Sequence, residues 1–393
     1  MNHKKFINNE IVPARIREAR ISRGYSLTEL ADLIGVSSQA ISQYELGTSK
    51  PGTHVLVKMM GVLNFPLNFF TKPKININNS FCNSAVNFRS MKSASKKLKD
   101  AFSCRIQWAD EIYQYLRKFV NFPDVDIPNI DHLVKNYEYD ADTIERIALY
   151  LRKYWKIDRG PIKNLIEILQ EKGFVICNIE FGDKKIDAFS QWYNGIPYII
   201  MGTDKASAAR ARFDIAHELG HLILHPHIDQ ESLKNKELFD QIENEANYFA
   251  GAFLLPVDSF PTEVVSNSLE HFVVLKKRWK VSIQAMIIRC DNLGLLKEHQ
   301  VRYLFAIINK RGLKTNEPLD DVIPMENPYL FKQAIELLLE NNIVSPQEII
   351  DKIALNKEEI DSLCFLPKEL LITNSRKPKL TLIKSSCTPS FLK

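Results

Sequence analysis

Phe213-Asp214-Ile215-Ala216-His217-Glu218-Leu219-Gly220-His221-Leu222-Ile223-Leu224-His225 is the stretch that decides how the middle of this 393-residue chain is read. Phe213, Ile215, Ala216, Leu219, Leu222 and Ile223 recur at helical spacing, which predicts a buried helix. His217 and His221 lie one turn apart on it, about 6 Å along the axis, and so face the same way. Two imidazoles at that spacing reach one Zn²⁺ at about 2.0–2.1 Å, and Glu218 beside them is placed to act as general base. A helix that buries His, Glu and His needs a partner for those groups.

A zinc site needs a third protein ligand. His225 lies eight residues from His217, about 12 Å along the axis, too far for one ion to take both. It is read as sitting behind the ligands or as structural. The next helical stretch, Ile242-Glu243-Asn244-Glu245-Ala246-Asn247-Tyr248-Phe249-Ala250, puts Glu243, Ala246 and Asn247 on one face. Glu243 is the expected ligand. Glu245 is the alternative, although it lies roughly 200° around the helix from Glu243. Ala246 permits close packing against the histidine helix, and Asn247 is placed to orient a ligating histidine. Two histidines and a glutamate leave a fourth position for water, the catalytic kind of zinc site.

Upstream of these helices the rhythm is different. Gly173 to Ile179, Ala188 to Trp192 and Tyr198 to Met201 read as short strands, with a turn at Gly195-Ile196-Pro197. Asp204 to Leu224 and Lys236 to Leu255 read as long helices. Asp142 is the expected cap of a helix through Tyr154, and Pro161 opens another near its first position. Ala101, Ile106, Trp108, Ile112 and Leu116 mark a further helix within Ser93 to Phe122, after an Asn/Ser-rich linker over 71–90. From Ser266 onward the pattern is helical. Short strands beside long helices give an α+β core.

The front of the chain is a run of short helices. Arg15 to Arg23 is the first. Ser26, with Glu29 three residues later, caps the second, and Leu27, Leu30, Ala31 and Ile34 form its buried stripe. Gly35 makes a tight turn, Val36 packs under it, and Ser37 caps a third helix ended by Gly47. That helix turns Ile41 and Tyr44 inward and leaves Ser38, Gln39, Ser42 and Gln43 outside. A polar, uncharged face with two glutamines suits base edges in a major groove, and Arg15, Arg17 and Lys50 suit phosphates.

Composition supports a globular reading: 45% apolar and 25% charged residues. Residues 1–100 carry 15 Lys/Arg against 6 Asp/Glu, while the rest of the chain is weakly acidic, so the front end is expected to meet a polyanion. Six scattered cysteines without a C-x-x-C pair read as buried free thiols of a reducing compartment. No run of 18 apolar residues and no apolar segment after Lys4 and Lys5 is present, so neither a membrane span nor a secretory signal is expected. The expected location is the cytoplasm.

Two resemblances join these readings. Ser26-Leu27-Thr28-Glu29-Leu30-Ala31 with Gly35-Val36-Ser37-Ser38-Gln39-Ala40-Ile41-Ser42-Gln43-Tyr44-Glu45 and Gly47 resembles the Cro/CI-type (XRE) phage-repressor domain. That resemblance implies base contacts at Ser38, Gln39 and Gln43, a double-stranded DNA operator and a homodimer. Arg210 to His221 with Glu243 to Pro256 resembles the ImmA/IrrE metallo-endopeptidases, with support from Asp187-Ala188-Phe189-Ser190, Ile196-Pro197 and Leu275 to Ser282. It implies metal ligands His217, His221 and Glu243, a catalytic Glu218, and cleavage of a repressor protein that relieves repression of stress or mobile-element genes.

The expected architecture is multidomain and mainly α. An all-α helix-turn-helix domain spans 1–75 and a helical linker region 76–140. An α+β zincin-like peptidase core with a small sheet spans 141–265, and a helical region 266–393. Ser266 to Leu296 and Asn342 to Leu363 each have the look of a degenerate helix-turn-helix, but neither has a basic face, so helical packing or dimerisation is expected of them. The protein substrate is a repressor or the chain itself. The other reading is a regulator or antitoxin-like protein whose zinc domain senses a ligand or only holds the fold.

Overall fold

A computed structural model describes residues 10–74, 96–134, 139–179, 188–202, 207–228 and 231–372. The first group of helices is α1 (Pro13–Ser22), α2 (Leu27–Ile34), α3 (Ser38–Leu46), α4 (Thr53–Leu63) and α5 (Leu67–Thr71). The long α6 (Lys96–Leu116) follows, then α7 (Ala141–Tyr154) and α8 (Leu165–Glu171). Strands β1 (Val175–Ile179), β2 (Ala188–Tyr193) and β3 (Ile196–Gly202) precede α9 (Ala208–Leu224) and α10 (Lys236–Leu254). The remainder is helical: α11 (Phe260–Glu263), α12 (Leu269–Trp279), α13 (Ile283–Asn292), α14 (Glu298–Lys310), α15 (Leu330–Glu340), α16 (Pro346–Ile353) and α17 (Lys357–Leu363). The fold is mainly α with one small sheet, as expected.

The sheet has the order β1-β3-β2, with β1 parallel and β2 antiparallel to β3. Asn194 and Gly195 join β2 to β3 with φ of 51° and 77°, the two positive values that a tight right-twisting hairpin turn demands. Because strand side chains alternate, the sheet serves two cores. Val175, Cys177, Ile179, Tyr198 and Ile200 face one, which continues through α6 into α1–α5 and α15–α17. Ile176, Ile199 and Met201 face the other, built on α7, α9, α10 and α12–α14. The expected helical region beyond residue 266 is therefore divided between two cores.

The region expected to link domains contains a packed strut. In α6, Ile106, Trp108, Ile112 and Leu116 are fully buried. Trp108 Nε1 donates to Glu18 Oε1 of α1 at 2.7 Å, and Arg15 Nη2 of α1 donates to Glu111 Oε1 at 2.6 Å. On the other side, Asp110 Oδ1 accepts from Tyr198 Oη at 2.8 Å, and Phe102 packs on Phe189 with ring centroids 5.4 Å apart. The C-terminal helices close the same group, with Arg23 Nη1 donating to Glu359 Oε1 at 2.7 Å and Lys72 Nζ to the Ile353 carbonyl at 2.9 Å.

Three helix pairs share one corner. Between α2 and α3, Gly35 takes φ 74° and Ser37 caps the next helix. Between α12 and α13, Lys280 takes φ 54° and Ser282 caps; between α16 and α17, Ala354 takes φ 63° and Asn356 caps. The third pair also repeats the capping box, Ser345 with Glu348 answering Ser26 with Glu29. In the third pair the second helix is tied down: α17 donates Ser362 Oγ to the Asn178 carbonyl of β1 at 3.2 Å and holds Arg23 through Glu359. Helical packing is the role its position gives it.

Several local expectations move. Asp140, not Asp142, caps α7 by accepting from the Thr143 amide at 2.8 Å; Asp142 lies in the first turn instead. Pro161 precedes α8, which starts at Leu165 under an Asn164 cap. α9 begins at Ala208 under Ser207, and residues 203–206 of the expected Asp204 start lie outside the described residues. So do the linker over 75–90, the Ser93 helix start, Asp187 and the tail from 373. Cys104, Cys177, Cys290 and Cys364 are buried free thiols, with burial pushing Cys104 and Cys290 up to about 12; Cys82 and Cys387 are outside the described residues. No helix among the described residues is long and apolar enough to cross a membrane.

α9 and α10 meet where Gly220 faces Ala246. A Cβ at position 220 would lie 3.1 Å from Phe249 Cδ1 and 3.2 Å from the Ala246 Cα and carbonyl oxygen. Backbone cannot yield as a side-chain tip can. Gly220→Val is expected to push the helices apart and destabilise the protein by about 1–3 kcal/mol, the usual size of an overpacking effect, read as a lowered urea midpoint of the full-length protein.

Candidate metal centre and nucleic-acid face

α9 is buried along almost its whole length, so its polar residues are dry. His217 and His221 are 0% and 1% exposed and Glu218 is 1% exposed. The His217 and His221 Nε2 atoms stand 3.0 Å apart. α10 brings Glu243 across the Gly220 contact, its carboxylate oxygens 3.5 Å from His217 Nε2 and 3.3 Å from His221 Nε2. Four ligands held tetrahedrally at about 2.1 Å lie about 3.4 Å from one another. The three donors present thus have the spacing and chemistry of a zinc ligand set, and their ligand atoms all lie within 4.8 Å of one another. Burial works to raise the Glu243 carboxyl, but the His217 and His221 imidazoles against it outweigh that and hold the group well below the usual carboxylate range.

The Glu218 carboxylate is held against the sheet. Its Oε2 accepts from Ser190 Oγ of β2 at 2.6 Å, and Trp192 Nε1 of the same strand donates to the Leu222 carbonyl at 3.0 Å. β2 is therefore fixed along α9, and Ser190, fully buried, is a site residue that the sequence reading did not single out. The signal available was its alternation with Ala188 and Trp192 on a strand beside the histidine helix.

His225 ends α9. Its Nδ1 is 3.4 Å from His221 Nδ1 and its Nε2 is 2.7 Å from Glu245 Oε2. Burial pushes the His225 imidazole down, against the opposing effect of its hydrogen bond to Glu245. Glu245 is thus held one turn beyond the trio and is not among the clustered ligand atoms. Asn247 makes no hydrogen bond to either trio histidine among the described residues, so the orienting role expected of it is not seen. His225, not Asn247, lies against His221, the two Nδ1 atoms 3.4 Å apart.

At the front end, Ser26 Oγ accepts from the Glu29 amide at 3.1 Å while Glu29 Oε2 accepts from the Ser26 amide at 2.6 Å. Arg20 pairs with Glu45 at 2.6 and 2.8 Å and ties α1 to α3. Ser38, Gln39 and Gln43 are exposed on α3 and Ser42 is half-buried. Arg17 is exposed, and so is Lys50, which pairs with Glu10 at 2.8 Å.

Arg15 must be corrected. It is fully buried, with Nη1 on Glu18 at 2.9 Å and Nη2 on Glu111 at 2.6 Å, so no phosphate can reach it. The same fate meets much of the front end's positive charge. Of the eight Lys and Arg in 10–74, Arg15, Arg20, Arg23, Lys72 and Lys74 are each paired with a carboxylate of the protein. Most serve as internal struts, and a net-charge count cannot tell a strut from a docking cation.

A buried H-E-x-x-H helix beside a carboxylate-bearing helix, together with an open helix-turn-helix, defines a two-part protein: a nucleic-acid-binding type of unit joined to a metallopeptidase type of core. The comparisons agree with both parts. Residues 169–291 match the M78 peptidase family model described as IrrE N-terminal-like domain, and residues 16–70 match the helix-turn-helix family model. The chain is 33% identical over 58 residues to the SPbeta prophage-derived uncharacterized HTH-type transcriptional regulator YonR of Bacillus subtilis (strain 168), covering 15% of this chain and 54% of that protein. It is 37% identical over 59 residues to the uncharacterized HTH-type transcriptional regulator R00410 of Rhizobium meliloti (strain 1021), covering 15% and 42%. The chain spans about half the length of the curated relatives it matches.

Replacing Arg15 with Met is expected to cost about 1–3 kcal/mol of stability, because Glu18 and Glu111 lose the buried guanidinium between them and keep only Lys74 and Lys72, whereas Arg17→Ala leaves stability within about 0.5 kcal/mol. Chemical denaturation of the two full-length variants separates the strut from the surface cation.

Proposed function

We propose that this chain is a DNA-binding transcriptional regulator whose core is a zinc-dependent endopeptidase acting on a protein, either a repressor or another copy of the chain itself. The observation that carries the enzymatic half is the meeting of His217, His221 and Glu243 at ligand spacing with Glu218 next in sequence to the first histidine. A zinc ion held by that trio would supply Lewis-acid polarisation of a peptide carbonyl and acidify water at its open position. Glu218 takes the proton and returns it to the leaving amine, with Ser190 holding its carboxylate in place by donating to Oε2. His217 and His221 are neutral donors, and Glu243 is the anionic one.

The DNA half rests on α3. Ser38, Gln39, Ser42 and Gln43 present donors and acceptors towards base edges, and Gln39 or Gln43 can bond an adenine through N6 and N7. Arg17 and Lys50 serve phosphates. A homodimer on a two-fold operator suits a single short recognition helix, which spans too few base pairs to specify a site alone. The relatives' names speak for regulation of transcription, and one of them for a mobile element. A cytoplasmic setting agrees with the buried free thiols.

Purified full-length protein is expected to contain stoichiometric zinc by elemental analysis. Glu218→Gln should keep that zinc and lower the cleavage rate of the protein substrate by about 10²–10⁴-fold. Retention of cleavage by Glu218→Gln, or zinc content unaltered in Glu243→Ala, would count against the enzymatic assignment. Independently, Gln39→Ala should weaken operator binding by about 1–3 kcal/mol in a gel-shift titration without changing zinc content. Equal affinity of wild type and variant for every DNA would remove the DNA half and leave the peptidase.

A further inference from the structure

Behind His221 lies a row of polar groups that the proposed chemistry does not use. Gln241 Nε2 donates to Glu245 Oε1 at 2.7 Å, Glu245 Oε2 meets His225 Nε2 at 2.7 Å, and His225 Nδ1 faces His221 Nδ1 at 3.4 Å. His221 Nε2, at the other edge of its ring, looks into the trio, 3.3 Å from Glu243. Glu245, His225 and His221 are all buried, so water does not compete for these bonds.

Proton counting gives the row a direction. A carboxylate oxygen only accepts, so the bond at Glu245 Oε2 requires the proton on His225 Nε2. A neutral His225 then has its lone pair at Nδ1. That lone pair can only accept, so the facing His221 Nδ1 must carry its ring proton. The lone pair of His221 is thereby left on Nε2, the atom turned towards His217 and Glu243. The opposite order would put a proton on His221 Nε2, where it would have to be lost before a metal could bind.

We propose that Glu245 and His225 are positioning residues that fix the tautomer of His221 and keep its Nε2 free to ligate. Neither touches the metal or the substrate. The inference deepens the zinc reading of the site and rests on it. It also assigns Glu245 a task other than the ligand role for which it was the alternative, and it explains why a third histidine follows the pair at the same four-residue step.

The test uses the isosteric reversal Glu245→Gln. A glutamine amide keeps its oxygen on Gln241 and turns its NH₂ to His225, which must then accept at Nε2 and carry its proton on Nδ1. Two-bond ¹H–¹⁵N correlation spectra of the metal-free, histidine-labelled full chain read each ring directly. Wild type should show His225 protonated at Nε2 and bare at Nδ1, with a proton on His221 Nδ1. Glu245→Gln should invert His225 and lower zinc affinity by about 10–100-fold in competition with a chromophoric chelator, and Glu245→Asp should recover part of that loss. A wild-type His225 carrying its proton on Nδ1 overturns the inference without recourse to any variant. So does a folded Glu245→Gln protein that binds zinc within twofold of wild type. Wild-type protein with the expected proton order that takes up no zinc upholds the order and overturns the zinc reading instead, which keeps the two failures apart.

Discussion

Two helices can offer donors to one small cation only if their backbones come close, and in this protein that approach depends on the absence of a side chain at Gly220. A Cβ there would crowd the Ala246 backbone at 3.2 Å. The four-residue step from His217 to His221 lines up two imidazoles on α9, but the third donor has to come from α10, and the contact at Gly220 sets how far Glu243 must reach. The same contact carries Glu245 to His225. One missing methyl thus governs both the trio and the row of groups behind it, and small residues at a helix crossing act as a distance setting for chemistry several ångströms away.

The second constraint is the sheet. With side chains alternating between two cores, β2 and β3 are fixed from both faces, and β2 is further tied to α9 through Trp192 and Ser190. α6 packs on the far side of that sheet and on α1, so the helix-turn-helix unit and the strand that steadies Glu218 share a single buried strut. The C-terminal helices α16 and α17 complete it by holding Arg23 and Lys72. A helix-turn-helix corner appears there again, but with its second helix spent on packing, which shows that the corner is a way to join short helices and not in itself a nucleic-acid reader.

What could be read from sequence was what is local. Capping boxes, the glycine turn at 35 and the apolar stripe of α9 depend on residues within one or two turns of one another, and the structure has them where the spacing puts them. Glu243 could be chosen over Glu245 because helix geometry fixes which positions share a face. What could not be read involves partners far apart in the chain. Arg15 looked like a surface cation because Glu111, which buries it, lies 96 residues away, and the bond from Arg23 to Glu359 spans 336. Asp140 and Asp142 are equally good caps by residue type, and only the backbone at the first turn decides between them. The bonds from Ser190 to Glu218 and between Glu245 and His225 are tertiary and left no periodic trace.

Those long-range pairs also help to separate scaffold from site. Several other buried or half-buried carboxylates meet a lysine or arginine: Glu317 and Asp320 meet Lys276, Glu326 meets Arg212, Glu145 meets Arg289, and Glu18 meets Arg15. Burying a charge without a counter-charge is too costly for a marginally stable fold, and these clusters are neutralised from within. Glu243 differs. Its ion-pair partners among the described residues are the imidazoles of His217 and His221. Two imidazoles and a carboxylate are thereby pressed to within 3.5 Å, with no lysine or arginine on the carboxylate among the described residues. A donor set of that kind has the chemistry of a divalent-cation site, which the lysine- and arginine-paired clusters do not.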